Sequence, residues 1–205
     1  MNINVKKRNN RLVPFEVEKI NRSAERACQN LENVSASEIV LDAKIKLYDK
    51  VKTSEIDKSL ISSASSKIEK DPSYNYVAAR LLLNTIYKEV FGESVYSESF
   101  ELQYHKSFIV NLKKLVKEGI LDQKLTEEFD LKKLSEAIDT NRDLKWKYLG
   151  IQTIYDRYLL HIDGRRMESP QGFFMRVAMG LALAEKENKE DWAIKFYNTL
   201  SSFDL

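Results

Sequence analysis

The stretch Val5-Lys6-Lys7-Arg8-Asn9-Asn10-Arg11-Leu12-Val13-Pro14-Phe15-Glu16-Val17-Glu18-Lys19-Ile20 decides how the chain starts to fold. Val5 and the run Val13-Pro14-Phe15 are apolar and extended in character, and Asn9-Asn10 between them tolerates the left-handed backbone of a tight reversal. Pro14 has no N–H to give a ladder, so its strand is not expected in the middle of a sheet. The pattern predicts a short β-hairpin feeding a helix. Lys7 and Arg8 fall at the turn and Lys19 about one turn inside the helix, near backbone N–H groups that favour anions. Spacing alone leaves two readings of these cations: a grip for a nucleotide polyphosphate, or a basic turn that water solvates.

Working outward, the 205 residues suit one large or two small domains, and 43% hydrophobic content is enough for a core. Lys+Arg 33 against Asp+Glu 31 leaves no global field, so neither nucleic acid nor a membrane surface is an expected partner. Six Gly and three Pro point to a mainly helical protein with short connections. Cys28 is the only cysteine, which excludes an intrachain disulfide and any thiolate-rich metal site. With no signal-like segment and no apolar run of about 18 residues, the expected setting is the cytoplasm.

The first helix carries Val17, Ile20, Ala24, Ala27, Cys28 and Leu31 on one stripe, which makes Cys28 a core residue. Ser35-Ala36-Ser37-Glu38 has capping-box spacing and opens a second helix to about Tyr48. Thr53 or Ser54 is expected to cap a third, and Asp71-Pro72 separates it from a fourth over residues 74–91, stopped by Gly92. Residues 93–99 are polar and mark a domain edge. Beyond them a long helix runs to Gly119, Thr126-Glu127-Glu128-Phe129 opens a shorter one, and residues 139–143 form a loop. The lysines at 113, 114, 117, 132 and 133 read as a solvated face. Trp146, Tyr148, Tyr155 and Tyr158 fall at helical spacing and read as core rather than a stacking platform. Leu159-Leu160-His161-Ile162, Asp163-Gly164 and the return through Glu168 make a second hairpin. Ser169-Pro170 starts a helix burying Phe174, Val177, Ala178, Leu181 and Ala182, and a last helix covers residues 191–200. His105 and His161 have no ligand partners at a metal-site spacing, and no metal site is expected.

Taken together, Lys7-Arg8, Val13-Pro14-Phe15, Lys19-Ile20, Lys52-Thr53-Ser54 and residues 74–81 (Tyr-Asn-Tyr-Val-Ala-Ala-Arg-Leu) resemble the ATP-cone of ribonucleotide reductase large subunits. Asn141-Arg142-Asp143, Arg157-Tyr158-Leu159-Leu160, Glu168-Ser169-Pro170-Gln171, Met175-Arg176-Val177-Ala178-Met179 and the stretch from Phe196 to Ser202 resemble the segment leading from that cone into the catalytic barrel. The resemblance implies a mainly α fold: a four-helix ATP-cone capped by a β-hairpin over residues 1–92, then a helical segment with one small hairpin over residues 93–205. It implies ATP or dATP as allosteric effector, with Mg as a companion of the nucleotide and no cofactor of the chain's own. Lys7, Lys19, Thr53 and Lys88 match effector-binding positions, and Arg8 with Val13, Pro14, Phe15, Glu16, Val17 and Glu18 lines the same site. Val13 departs from a carboxylate common in the family, and Asp57 stands where some members have a histidine.

The family's chemistry needs a cysteine that forms a thiyl radical and a cysteine pair that supplies electrons; Cys28 alone cannot do both. The expectation is therefore a regulatory front portion of a ribonucleoside-diphosphate reductase, a truncation or one product of a split gene. It carries no catalytic residues and is inactive alone. Implied partners are a polypeptide bearing the barrel and a radical-generating small subunit, in a homo-oligomeric assembly. A different class remains open, a stand-alone nucleotide-sensing or oligomerisation module.

Overall fold

The computed structural model describes residues 3–8, 10–44, 48–92 and 100–203. Its contacts group into two units, Met1–Thr85 with Trp146–Gln152, and Ile86–Lys145 with Thr153–Leu205. The expected domain edge at residues 93–99 lies outside the described residues. Among the described residues no helix is long and apolar enough to cross a membrane, and no cluster of His, Cys, Asp and Glu is placed to hold a metal ion.

In the first unit, β1 (Asn4–Lys6) pairs antiparallel with β2 (Leu12–Pro14), Val5 opposite Val13. Asn10 takes the left-handed backbone (φ 65°), as the predicted reversal requires. The sheet has a third member that the sequence did not announce. β3 (Val51–Lys52) joins parallel to β1, with Val5 beside Val51 and Lys6 beside Lys52, which leaves β2 and its Pro14 at the edge. Val5 and Val51 are both buried.

Helix α1 (Val17–Cys28) buries Ile20, Ala24 and Ala27 and packs on α2 (Ala36–Lys44), which packs on α3 (Thr53–Ser65). Cys28 is only half-buried, because α1 ends there and leaves its last residue at the rim. The Ser35 box is half made. Ser35 Oγ accepts from the Glu38 N–H at 3.3 Å, but the Ser35 N–H donates to the Tyr74 hydroxyl at 3.0 Å, and Glu38 turns outward to Lys70 and Lys67. Helix α2 is described as far as Lys44 and Tyr48 is not helical, so where between them the helix ends lies outside the described residues. Neither Thr53 nor Ser54 is the cap of α3: the strand β3 runs straight into the helix, and the N-cap is Lys52, which makes no side-chain cap hydrogen bond. Helix α4 (Tyr74–Val90) begins in this unit, buries Tyr74, Val77, Ala78, Leu81 and Leu82, and ends before Gly92 at φ 91°.

In the second unit, α5 (Phe100–Lys117) ends before Gly119 at φ 71°. Thr126 does not open the next helix. A one-turn α6 (Lys124–Glu127) is followed by α7 (Leu131–Glu136), whose cap is Asp130: its carboxylate accepts from the N–H groups of Lys132 (2.9 Å) and Lys133 (3.1 Å). The expected loop at residues 139–143 runs instead into a 3-10 turn, Thr140–Lys145. Helix α8 (Tyr148–Arg157) passes from the first unit to the second. Trp146 is buried as expected, but Tyr158 is exposed. Strands β4 (His161–Ile162) and β5 (Arg165–Arg166) pair through a turn in which Asp163 (φ 50°) and Gly164 (φ 76°) are both left-handed.

Helix α9 (Pro170–Ala182) packs along α10 (Lys189–Ser201). The buried face of α9 is Met175, Ala178, Met179 and Ala182, whereas Leu181 is exposed and Phe174 and Val177 are half-buried, so the predicted face is about one position out of phase. The helix is apolar nearly all round, and spacing alone does not choose a side. With Tyr104, Phe108 and Leu112 of α5, Leu131 and Leu134 of α7, and Ala193 and Tyr197 of α10, that face builds the core.

At the centre of this core lies Asp143, with no solvent exposure. Its Oδ2 accepts from the hydroxyls of Tyr87 (2.6 Å) and Tyr104 (2.8 Å), and its Oδ1 from the Gln171 side-chain amide (2.9 Å). The Tyr197 hydroxyl donates to Gln171 Oε1 at 3.0 Å and accepts from the Asp139 N–H at 3.0 Å. Burial raises the Asp143 carboxyl to about 6 against the hydrogen bonds that favour its charge. Burial, and then the Asp143 charge, push Tyr104 well above the ordinary phenol range, so it stays a donor.

Candidate effector site

Two elements position the expected site. The chain leaves β1 at Lys6 and enters the turn as Lys7 and Arg8, closed by hydrogen bonds from the Lys7 N–H to Arg11 O and from the Asn10 N–H to Lys7 O, each 2.9 Å. Parallel pairing sets Lys52 level with Lys6, so the next residues of that strand, Thr53 onward, form the start of α3 beside the outgoing turn. An ion pair reports this directly: Arg8 Nη2 lies 3.2 Å from Asp57 Oδ2. Asp57 is buried, whereas the Arg8 side chain keeps 29% of its exposure, so the carboxylate holds the guanidinium from beneath and leaves part of it open to solvent.

The start of α3 is a 13-residue helix's N-terminus without a side-chain cap. Its first N–H groups point out of the helix with the positive end of the macrodipole behind them. Thr53 is half-buried there. Arg8 and Asp57 are thus brought together beside Thr53 at the start of α3, with Lys7 next to Arg8 in the turn.

Lys19 is placed differently. Strand β2 runs back along β1, Pro14 opposite Asn4, so α1 starts from the end of the hairpin opposite Lys7 and Arg8. Its first turn is also uncapped by a side chain, and Lys19 Nζ pairs with Glu16 Oε1 at 2.9 Å on an exposed surface. The strands are only three residues each, so the two ends of the hairpin are about 7 Å apart. Between them Val13, Phe15 and Val17 are half-buried, while Pro14, Glu16 and Glu18 are exposed. Lys88 is half-buried in the last turn of α4, among the residues that group with the second unit.

Sequence reasoning missed two features. β3 is two residues long, which leaves no alternation to read, yet it delivers α3 to the turn. The Asn141-Arg142-Asp143 motif gave no hint of burial, since an Asn, an Arg and an Asp in a row read as solvated. Elsewhere in the first unit, Cys28 is held up at about 11 by burial despite the nearby Arg80 charge, and is a poor nucleophile.

Comparison with known proteins matches the chain in two segments. The family model for the ATP cone domain matches residues 3–89, and that for the ribonucleotide reductase all-alpha domain matches residues 144–205. Over 182 residues, 87% of this chain and 17% of the relative, the sequence is 44% identical to the ribonucleoside-diphosphate reductase subunit alpha of Chlamydia trachomatis. It is 39% identical over 204 residues to the subunit alpha of Helicobacter pylori, covering 98% of this chain and 25% of the relative. Against the ribonucleoside-diphosphate reductase 1 subunit alpha of Escherichia coli the figures are 30% over 211 residues, 100% of this chain and 26% of the relative. The chain thus spans about a sixth to a quarter of the length of these relatives.

Proposed function

The chain belongs to the ribonucleotide reductase alpha-subunit family, with an ATP-cone followed by residues of the all-alpha domain, and on that premise we propose that it binds ATP or dATP as an allosteric effector in deoxyribonucleotide synthesis. The observation that carries the reading is the ion pair by which Arg8, in the turn beside Lys7, reaches Asp57 in the first turns of α3. A triphosphate has three features to satisfy, and the site offers a match for each. Helix N–H groups take non-bridging oxygens, Lys7 and the open side of Arg8 neutralise charge, and the Thr53 hydroxyl supplies a directed bond. Val13, Phe15 and Val17 give an apolar surface for the base, flanked by Pro14, Glu16, Glu18 and Lys19. Lys88 joins the set through the resemblance, and Mg accompanies the nucleotide phosphates. In this reading residues 1–92 are the regulatory domain and residues 93–205 the lead into the catalytic region.

The 205 residues hold one cysteine, too few for a radical and a redox pair, so in this reading turnover is assigned to the barrel region of the reductase rather than to these residues, working with the small radical-generating subunit in an oligomeric cytoplasmic enzyme. Titration calorimetry of the chain with ATP and with dATP, in Mg, tests the effector reading. Saturable binding of either nucleotide, lost in Lys7→Ala, is expected. Absence of heat with both would overturn it.

A further inference from the structure

Helix α5 in the second unit is 18 residues long, and its two sides differ in character. The inner side, Tyr104, Phe108, Leu112 and Leu115, is buried. At about 100° per residue, Leu102, Lys106, Val110, Lys113 and Lys117 fall within roughly 80° of arc on the opposite side. All five are exposed, Leu102 at 68% and Val110 at 54%. Water solvates a row of lysines, but it gains nothing from two aliphatic side chains set among them.

The lysines of this stripe are also uncompensated. A lysine on a helix finds its nearest counter-charge three or four residues away. Around Lys106 those positions hold Leu102, Gln103, Ile109 and Val110, and around Lys113 they hold Ile109, Val110, Val116 and Lys117, with no carboxylate among them. Among the described residues, Lys106, Lys113 and Lys117 have no ion-pair partner, whereas other lysines of the same unit are matched: Lys132 with Glu136 (3.9 Å), Lys133 with Asp191 (2.6 Å) and Lys189 with Glu128. With Lys+Arg 33 against Asp+Glu 31 in the whole chain, three unmatched cations on one stripe are a local excess. A second copy laid on this face would set lysine against lysine, so charge argues against the chain as its own partner here.

We propose that the outer face of α5 docks an acidic amphipathic helix of another polypeptide. Leu102 and Val110 are eight residues apart, about 12 Å along a straight axis, which is the spacing a second helix covers with residues two turns apart on its own apolar stripe. Carboxylates flanking that stripe meet Lys106, Lys113 and Lys117, whose aliphatic stems lie along the contact while their ammonium groups reach its rim. The apolar residues supply the desolvated contact, and the charges choose the partner and its orientation.

Fluorescence anisotropy of a labelled synthetic peptide against the 205-residue chain, without nucleotide, tests it. The peptide is a helix former of about 18 residues with two leucines and three glutamates at the spacing of the stripe, and a control peptide has lysines in place of the glutamates. Saturable binding of the acidic peptide, and none of the basic one over the same concentrations, is expected. Lys106→Glu with Lys113→Glu should weaken the acidic peptide about tenfold or more and bring the basic peptide into binding, a reversal that damage to the fold would not produce. Leu102→Ser with Val110→Ser should weaken the acidic peptide by about tenfold too, which separates a docked helix from simple attraction between opposite charges. All four side chains are exposed, so both variants should keep the wild-type melting curve. Failure of the acidic peptide to bind, equal binding of the two peptides, or unchanged affinity in either variant would overturn the proposal. So would a wild-type dimer in light scattering that Leu102→Ser with Val110→Ser dissolves, since the face would then belong to a second copy.

Discussion

Asp143 makes the stability of the second unit depend on pH in an unusual direction. Most carboxylates in folded proteins are held below their free values and destabilise the fold when acid protonates them. Asp143 is held above: burial raises it from 3.8 to about 6. The folded state therefore takes up this proton more readily than the unfolded chain. The stabilisation from that uptake is complete below the unfolded value and is lost as pH rises through about 6. Integrating the two binding curves between pH 7 and pH 5 gives a gain of roughly 1.3 kcal/mol from this one group. In a chain of this size that corresponds to about 3–5 °C in Tm. Other groups also titrate in this window, so the clean perturbation is Asp143→Asn, which has the same shape and no proton to take up. The assay is thermal unfolding of both proteins at pH 7 and pH 5. The difference in Tm, wild type minus variant, should move by about 3–5 °C in favour of the wild type as pH falls. Asp139, whose charge also raises Asp143, is present in both and cancels to first order. A difference that stays constant within about 1 °C would show that Asp143 titrates normally, and the argument from burial would be wrong.

Arg8→Ala should weaken ATP binding about tenfold or more by calorimetry, the worth of one charge-assisted hydrogen bond, and should also lower the melting temperature, because it takes an ion-pair partner from buried Asp57. Glu168 is 6% exposed and accepts two hydrogen bonds from Arg176 and one from the Leu160 N–H, so Glu168→Ala leaves a guanidinium poorly solvated and should cost about 3 kcal/mol in denaturant unfolding. Asp130→Ala removes the cap of α7 and should cost about 1 kcal/mol in the same assay, whereas Thr126→Ala should cost about half that or less. Cys28, held at about 11, should react with a thiol reagent at pH 8 far more slowly than free cysteine, and a rate matching the free thiol would contradict its burial.

Local chemistry determined where segments turn and stop. Asn10, Gly92, Gly119 and the Asp163-Gly164 pair all occupy the left-handed region at the places their residue types announce, because that preference is a property of each residue and its nearest neighbours. The order of motifs also carried the family, since it is written in the chain whether or not the chain is folded. The tertiary structure decided what depends on partners distant in sequence. β3 exists because Val51 meets Val5 across 46 residues, and only that pairing brings the start of α3 and Asp57 to Arg8. The buried face of α9 was settled by α5, α7 and α10, since an all-round apolar helix has no preferred side until neighbours supply one. Asp143 was indistinguishable from a solvated loop residue in the sequence. What buries it is a set of donors from Tyr87, Tyr104 and Gln171, and a carboxylate tolerates the interior only when such donors have been assembled around it from elsewhere in the chain.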